Sequence, residues 1–149
     1  MTGRYLEDFA PGDEIVSAGR TITEEAIINF AAQYDPQSFH IDVDAATKSS
    51  YGGLIASGFQ TLAIGFRLFL DTGTIAGTSI GSPGMDEVRW TRPVRPGDTL
   101  HTVVQILETR ASASKPDRGI VRMAVRVLNQ KCEDVLTLST SVFILKRPA

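Results

Sequence analysis

The feature that most constrains this chain is a change of periodicity. Residues 57–70 carry Leu62, Ile64, Phe66, Leu68, Phe69 and Leu70 around most of a helical circumference rather than on one stripe. From residue 85 to the C-terminus the apolar period becomes two. A helix apolar on nearly every side needs burial on nearly every side, whereas strands of period two each bury one face. An α+β plan meets both demands: an antiparallel β-sheet wrapped around a long central α-helix. Ser57 suits the N-cap of that helix and Gly73 lies just beyond its end. The period-two region divides into strands over Met85–Arg92, Thr99–Thr109, Gly119–Asn129 and Val135–Leu145. Their short connections, Pro93–Asp98, Ser112–Arg118 and Gln130–Asp134, predict that successive strands are antiparallel neighbours. Val121, Met123, Val125 and Val127 share a face of the third strand; Leu136, Leu138, Val142 and Ile144 share one of the fourth, opposite Thr137, Ser139 and Ser141.

Upstream, a Pro11-Gly12-Asp13 turn leads into Glu14–Ile22, enough for one modest strand. Thr23 followed by Glu24 and Glu25 is the chemistry of a helix start, with acids at the positive end of the dipole. Ala26, Ile27, Phe30, Ala31 and Tyr34 fall on one face, and Pro36 ends the helix near Tyr34. Asp35–Asp42 reads as irregular, followed by a short helix capped by Asp42 or Asp44 and running through Lys48. The 149 residues suit one domain over 1–149, with one core.

Charge narrows the partners. Seventeen acidic residues against 15 basic ones give a net charge of −2, without the basic excess that binding nucleic-acid phosphates requires. The most apolar stretch, 61–70, is too short to span a bilayer and contains Arg67, so no membrane span is expected. The single cysteine, Cys132, cannot form an intramolecular disulfide, and the first residues hold no apolar signal region; a cytoplasmic protein is the expectation.

Two histidines are available for proton transfer near neutral pH. His101 opens a strand, where an edge or exposed histidine is unremarkable. His40 lies five residues after Asp35 on a Pro-constrained segment, so a carboxylate and an imidazole can converge on one water molecule. Spacing alone equally allows Asp35 to cap a turn begun by Pro36, with His40 merely satisfying backbone groups. Downstream, Gly52-Gly53-Leu54-Ile55-Ala56-Ser57-Gly58 delivers the chain to the start of the apolar helix. Exposed N–H groups at a helix start, approached closely through glycine, suit a carbonyl oxygen gaining negative charge.

These residues carry a resemblance over nearly the whole chain. The sequence resembles the MaoC-like dehydratases, the single hot-dog domain group that contains the (R)-specific enoyl-CoA hydratases. That family's motif is Asp-x-Asn-Pro-x-His, with a glycine eighteen residues after the histidine at the start of the central helix. Asp35, His40 and Gly58 stand at those spacings. Residues Trp90–Leu100 resemble the family's aromatic-x-x-Pro-Val-x-x-Gly-Asp-x-Leu turn. Gln37 replaces the motif's asparagine, its proline has moved to Pro36, and Ser57 replaces a histidine that often precedes the glycine.

The resemblance implies reversible hydration of 2-enoyl thioesters. Asp35 would take a proton from water attacking C3, His40 would orient that water and protonate C2, and the Gly58 N–H would hold the thioester oxygen. Ser57, Gln37 and Phe39 are the expected substrate contacts. No metal and no separate cofactor are implied, coenzyme A or acyl carrier protein being part of the substrate. A homodimer is expected, with higher oligomers open. A hot-dog thioesterase, attacking the carbonyl carbon, and a non-catalytic acyl-thioester binding module are the alternatives.

Other features read blandly. Gly73, Gly77, Gly81 and Gly84 lack both the P-loop ending and the dinucleotide fingerprint. Trp90 reads as core or subunit contact, Met85 and Met123 as core, and Cys132 as a hairpin-turn residue. Arg118, Arg122, Arg126 and Lys131 read as a solvated strand edge, where one or two could meet coenzyme A phosphates.

Overall fold

In the computed structural model, which describes residues 2–149, a 3-10 turn over Leu6–Asp8 precedes β1 (Glu14–Val16) and β2 (Arg20–Thr21). Helices α1 (Glu24–Tyr34), α2 (Ser38–Ile41), α3 (Val43–Lys48) and α4 (Gly58–Asp71) follow. The chain ends with β3 (Gly84–Trp90), β4 (Thr99–Ala111), β5 (Arg118–Leu128) and β6 (Asp134–Leu145). The antiparallel sheet runs β1-β4-β5-β6-β3, and β2 extends the β4 edge. With α4 packed on its concave side this is the hot-dog arrangement. Among the described residues no helix is long and apolar enough to cross a membrane.

The starts and stops follow local chemistry. Thr23 caps α1 by accepting from the Ala26 N–H, Asp42 caps α3 through Ala45, and Ser57 caps α4 through Phe59. The expected strand over Glu14–Ile22 is two short ones. Between them the Ser17 hydroxyl takes the Thr102 N–H at 2.8 Å, a side chain standing in for the ladder. The irregular segment is partly helical, for α2 places His40 on a single turn.

The expectation that all successive strands are neighbours fails at β3 and β4. The strand β3 pairs with β6, from Gly84 opposite Ser141 to Trp90 opposite Leu136, at the far edge of the sheet. The connector explains why. The Thr91 N–H still bonds Val135, but Pro93 and Pro96 then supply no donors, and the Val94 carbonyl and Gly97 N–H bond Ala56 and Ile22 instead. Those partners carry the chain across to β4, past the start of α4.

The core divides into two clusters. One gathers Ile22, Ile27, Leu54, Val94, Leu100 and Leu136; the other gathers Leu6, Phe9, Ile15, Val121, Met123 and Ile144, with half-buried Val125 packed against both. The helix α4 contributes Leu68 to the first and Phe69 to the second. It is not buried on nearly every side, however: Phe59, Ala63, Phe66 and Leu70 form an exposed stripe because the sheet curls around only the opposite face. Met85, read as core, is exposed on the β3 edge. Arg122 and Arg126 belong to β5, which is paired on both sides, so they occupy the solvent face of the sheet rather than its edge.

The helix meets the sheet most closely at Gly65. A Cβ there would lie 2.5 Å from Val127 Cγ2, and the Gly65 carbonyl accepts from the Thr102 hydroxyl at 2.8 Å. Glycine is required by this approach, despite its cost in a helix. Gly65→Val is expected to destabilise the protein by about 1–3 kcal/mol through overpacking. Urea denaturation checks this, and a Val127→Ala background should recover part of the loss.

Candidate active site

Three segments converge on one pocket. The first turns sharply where α1 ends. Asp35 is its C-cap at φ −153° and ψ 67°, and its N–H still bonds the Ala31 carbonyl. Pro36 forbids another turn, and Gln37 donates back to the Asp35 carbonyl before α2 starts. The second segment, Leu54–Ser57, is tied to the first by the Ile55 N–H on the Phe39 carbonyl at 3.2 Å. It is tied to the third, Trp90–Val94, by the Ala56 N–H on the Val94 carbonyl at 2.8 Å.

This stitching brings Asp35 and His40 together. His40 is buried, and its Nε2 lies 3.2 Å from Asp35 Oδ2. Its Nδ1 lies 2.7 Å from the Ile55 carbonyl, which can only accept, so Nδ1 carries a hydrogen and Nε2 is the nitrogen free to exchange a proton with the carboxylate. The Phe39 ring packs edge-on against the imidazole and continues to Tyr51. Asp35 Oδ1 accepts from Gln37 Nε2 and Oδ2 from the Ser57 hydroxyl, each at 2.7 Å. Burial pushes the Asp35 carboxyl up, but the bonds from Gln37 and Ser57 and the adjacent His40 together outweigh it and hold the group below its usual range.

Gly58 opens α4. Among the described residues nothing accepts from its N–H, since the Ser57 hydroxyl takes the Phe59 N–H instead. Its carbonyl accepts from Trp90 Nε1 at 2.8 Å, and a Cβ at this position would lie 2.5 Å from Trp90 Cε2. The free N–H sits at the positive end of a 14-residue helix, and Gly58 lines a pocket of about 510 Å³.

Asp35, His40, Gly58, Gln37 and Phe39 all line this pocket. Ser57, expected on the substrate, does not: it is wholly buried and its hydroxyl is spent on Asp35. Tyr51, Thr61, Trp90 and Arg92 line it without having been singled out for it. The Trp90-x-x-Pro93-Val94 motif carried the signal for two of them, but Trp90 read as core or subunit contact; it is not core, being half exposed and covering Gly58. His101 and Cys132 lie outside the pocket, and no three His, Cys, Asp or Glu side chains among the described residues are grouped to hold a metal ion. A carboxylate, an imidazole and a free helix-start N–H around one cavity can move protons on either side of a carbonyl compound.

The depressed carboxyl has a consequence for stability. Its folded value lies below the ordinary 3.8, so its contribution is fully present above that pH and is lost as pH falls through the folded value. Asp35→Asn is therefore expected to show a shallower fall in unfolding free energy below pH 3.8 than the unaltered protein, measured by denaturant titration.

Comparison with known proteins places the chain among relatives of like sequence and fold. A family model described as "MaoC like domain" matches residues 8–127. The crystal structure of a MaoC-like dehydratase from Rhodospirillum rubrum superposes with a TM-score of 0.92 at 42% identity, covering 99% of this chain and 100% of that one. YdeM of Bacillus subtilis, an uncharacterized protein, is 32% identical over 93% of this chain and 97% of its own length. Mesaconyl-CoA hydratase of Cereibacter sphaeroides is 31% identical over 97% of this chain, which spans 42% of that protein. The family thus includes hydratases and dehydratases, and by its sequence and its fold this chain belongs to the MaoC-like domain family.

Proposed function

We propose that the protein reversibly adds water across the double bond of a 2-enoyl thioester, carried on coenzyme A or acyl carrier protein. The observation that carries this reading is the 3.2 Å contact between Asp35 and His40 in a pocket that also holds the free Gly58 N–H. In the hydration direction Asp35 accepts a proton from water as its oxygen bonds C3. The electron pair of the double bond moves toward the thioester oxygen, which the Gly58 N–H and the helix dipole stabilise. His40 Nε2 then gives its proton to C2. The proton left on Asp35 is then released to solvent and Nε2 takes one up from solvent, which resets the pair for another cycle.

Two further observations support the reading. A separate apolar cavity of about 170 Å³ between α4 and the sheet, lined by Leu62, Phe66, Phe69 and Leu138, suits an acyl chain in its chemistry. The relative named mesaconyl-CoA hydratase matches this chain along 97% of its length. The reading needs no metal and no cofactor beyond the carrier of the acyl group. It also includes a cytoplasmic location, and a homodimer, because the exposed stripe Phe59, Phe66 and Leu70 and the β3 edge with Met85 and Trp90 leave apolar surface that a second copy can cover.

Incubation with crotonyl-CoA tests the proposal: loss of enoyl absorbance without free thiol is expected, thiol release points to a thioesterase, and neither points to a binding module. Asp35→Asn and His40→Gln are each expected to lower kcat by about a hundred- to ten-thousand-fold. Either variant keeping more than half the turnover overturns the assignment. Sedimentation at micromolar concentration is expected to give a mass above the 16.1 kDa of one chain.

A further inference from the structure

Ser57 stands at the N-cap of α4, wholly buried and outside the substrate pocket. Its hydroxyl has one hydrogen. The Phe59 N–H donates to Oγ at 3.3 Å, so Oγ accepts there and its own hydrogen is left for Asp35 Oδ2 at 2.7 Å. The same Oδ2 faces His40 Nε2 at 3.2 Å. A carboxylate oxygen has about two lone-pair directions, and both are taken at Oδ2. Oδ1 holds only the Gln37 amide, which belongs to an exposed side chain.

We infer that Ser57 is a positioning residue for the Asp35 base: it pins Oδ2 in place, so that Oδ1 is the oxygen presented to the attacking water. The inference rests on the hydration chemistry proposed above. A cap hydroxyl acts here in two directions at once, fixing the start of the helix that carries the Gly58 N–H and fixing the carboxyl group that works opposite it. The distance between base and oxyanion donor is thereby set through a single buried atom. Ser57 also stabilises the anionic carboxylate, and its removal raises the Asp35 titration.

The test uses Ser57→Ala, with Ser57→Gly as a second variant because glycine is nearly as good a cap. Thr23→Ala serves as control, since it removes the cap of α1 without touching the pocket. Two readouts are taken: kcat and KM on crotonyl-CoA, and the titration of the Asp35 carboxyl followed by carbon NMR in the free protein. Loss of a charge-assisted hydrogen bond predicts a fall in kcat of roughly ten- to a hundred-fold with KM little changed, and an upward move of the Asp35 titration. Thr23→Ala should lower the melting temperature and leave both readouts alone. Variants at Ser57 that melt earlier but keep kcat and the Asp35 titration overturn the inference. If the unaltered protein hydrates no enoyl thioester, the proposed function falls while the titration still decides the role of Ser57: a shift sustains it and no shift overturns it.

Discussion

The position of the first turn of α4 governs the rest of the structure. That turn is held from below, where Gly65 lets the helix settle against Val127 and Thr102, and from above, where Trp90 packs on Gly58. A helix is stiff over 14 residues, so these two contacts fix its N-terminus relative to the sheet. The sheet in turn sends the 91–98 connector past that terminus and bonds it to Ala56. The Asp35 segment reaches the same place through the His40–Ile55 and Phe39–Ile55 bonds. The pocket is thus a junction of backbone bonds, and its side chains inherit their geometry from that junction.

A carboxylate beside a buried imidazole is expensive unless every donor and acceptor is matched. Here the matching is nearly complete: Asp35 receives Gln37, Ser57 and His40, while His40 spends its other nitrogen on Ile55. Three donors keep the carboxyl anionic in spite of its burial, which is the state a general base requires. They also reduce its basicity. The donors divide between the two oxygens: the exposed Gln37 amide at Oδ1, and the buried Ser57 and His40 at Oδ2.

Most of the elements were legible because their signals are local. Thr23, Asp42 and Ser57 cap the helices expected of them, and the alternation on β5 and β6 identified their buried faces. The pairing of β3 with β6 was not legible, because it depends on what the Val94 carbonyl and Gly97 N–H bond to, and those partners, Ala56 and Ile22, are remote in sequence. The same limit applies at the pocket. The spacing of Asp35, His40 and Gly58 singled out residues that the fold brings around one cavity, but spacing does not report which way a hydroxyl points. Ser57 therefore read as a substrate contact, although its bonds run inward to Asp35. The apolar circumference of α4 likewise says that the helix must be covered without saying by what, and one chain leaves the Phe59–Leu70 stripe open.

Glycine at position 58 answers two demands that happen to coincide. The indole of Trp90 occupies the space a Cβ would need, and in the proposed reaction the free N–H is approached closely by the substrate. The first demand belongs to packing and the second to chemistry. Trp90 joins them, because its Nε1 takes the Gly58 carbonyl while its ring walls the pocket. The carbonyl is thereby satisfied by the protein and only the N–H remains for a ligand. A helix start that ends in an unpaired donor is stable in water, where solvent completes it. On the hydration chemistry proposed above, the same donor is completed by the oxygen of a bound thioester, and the interaction strengthens as that oxygen gains charge.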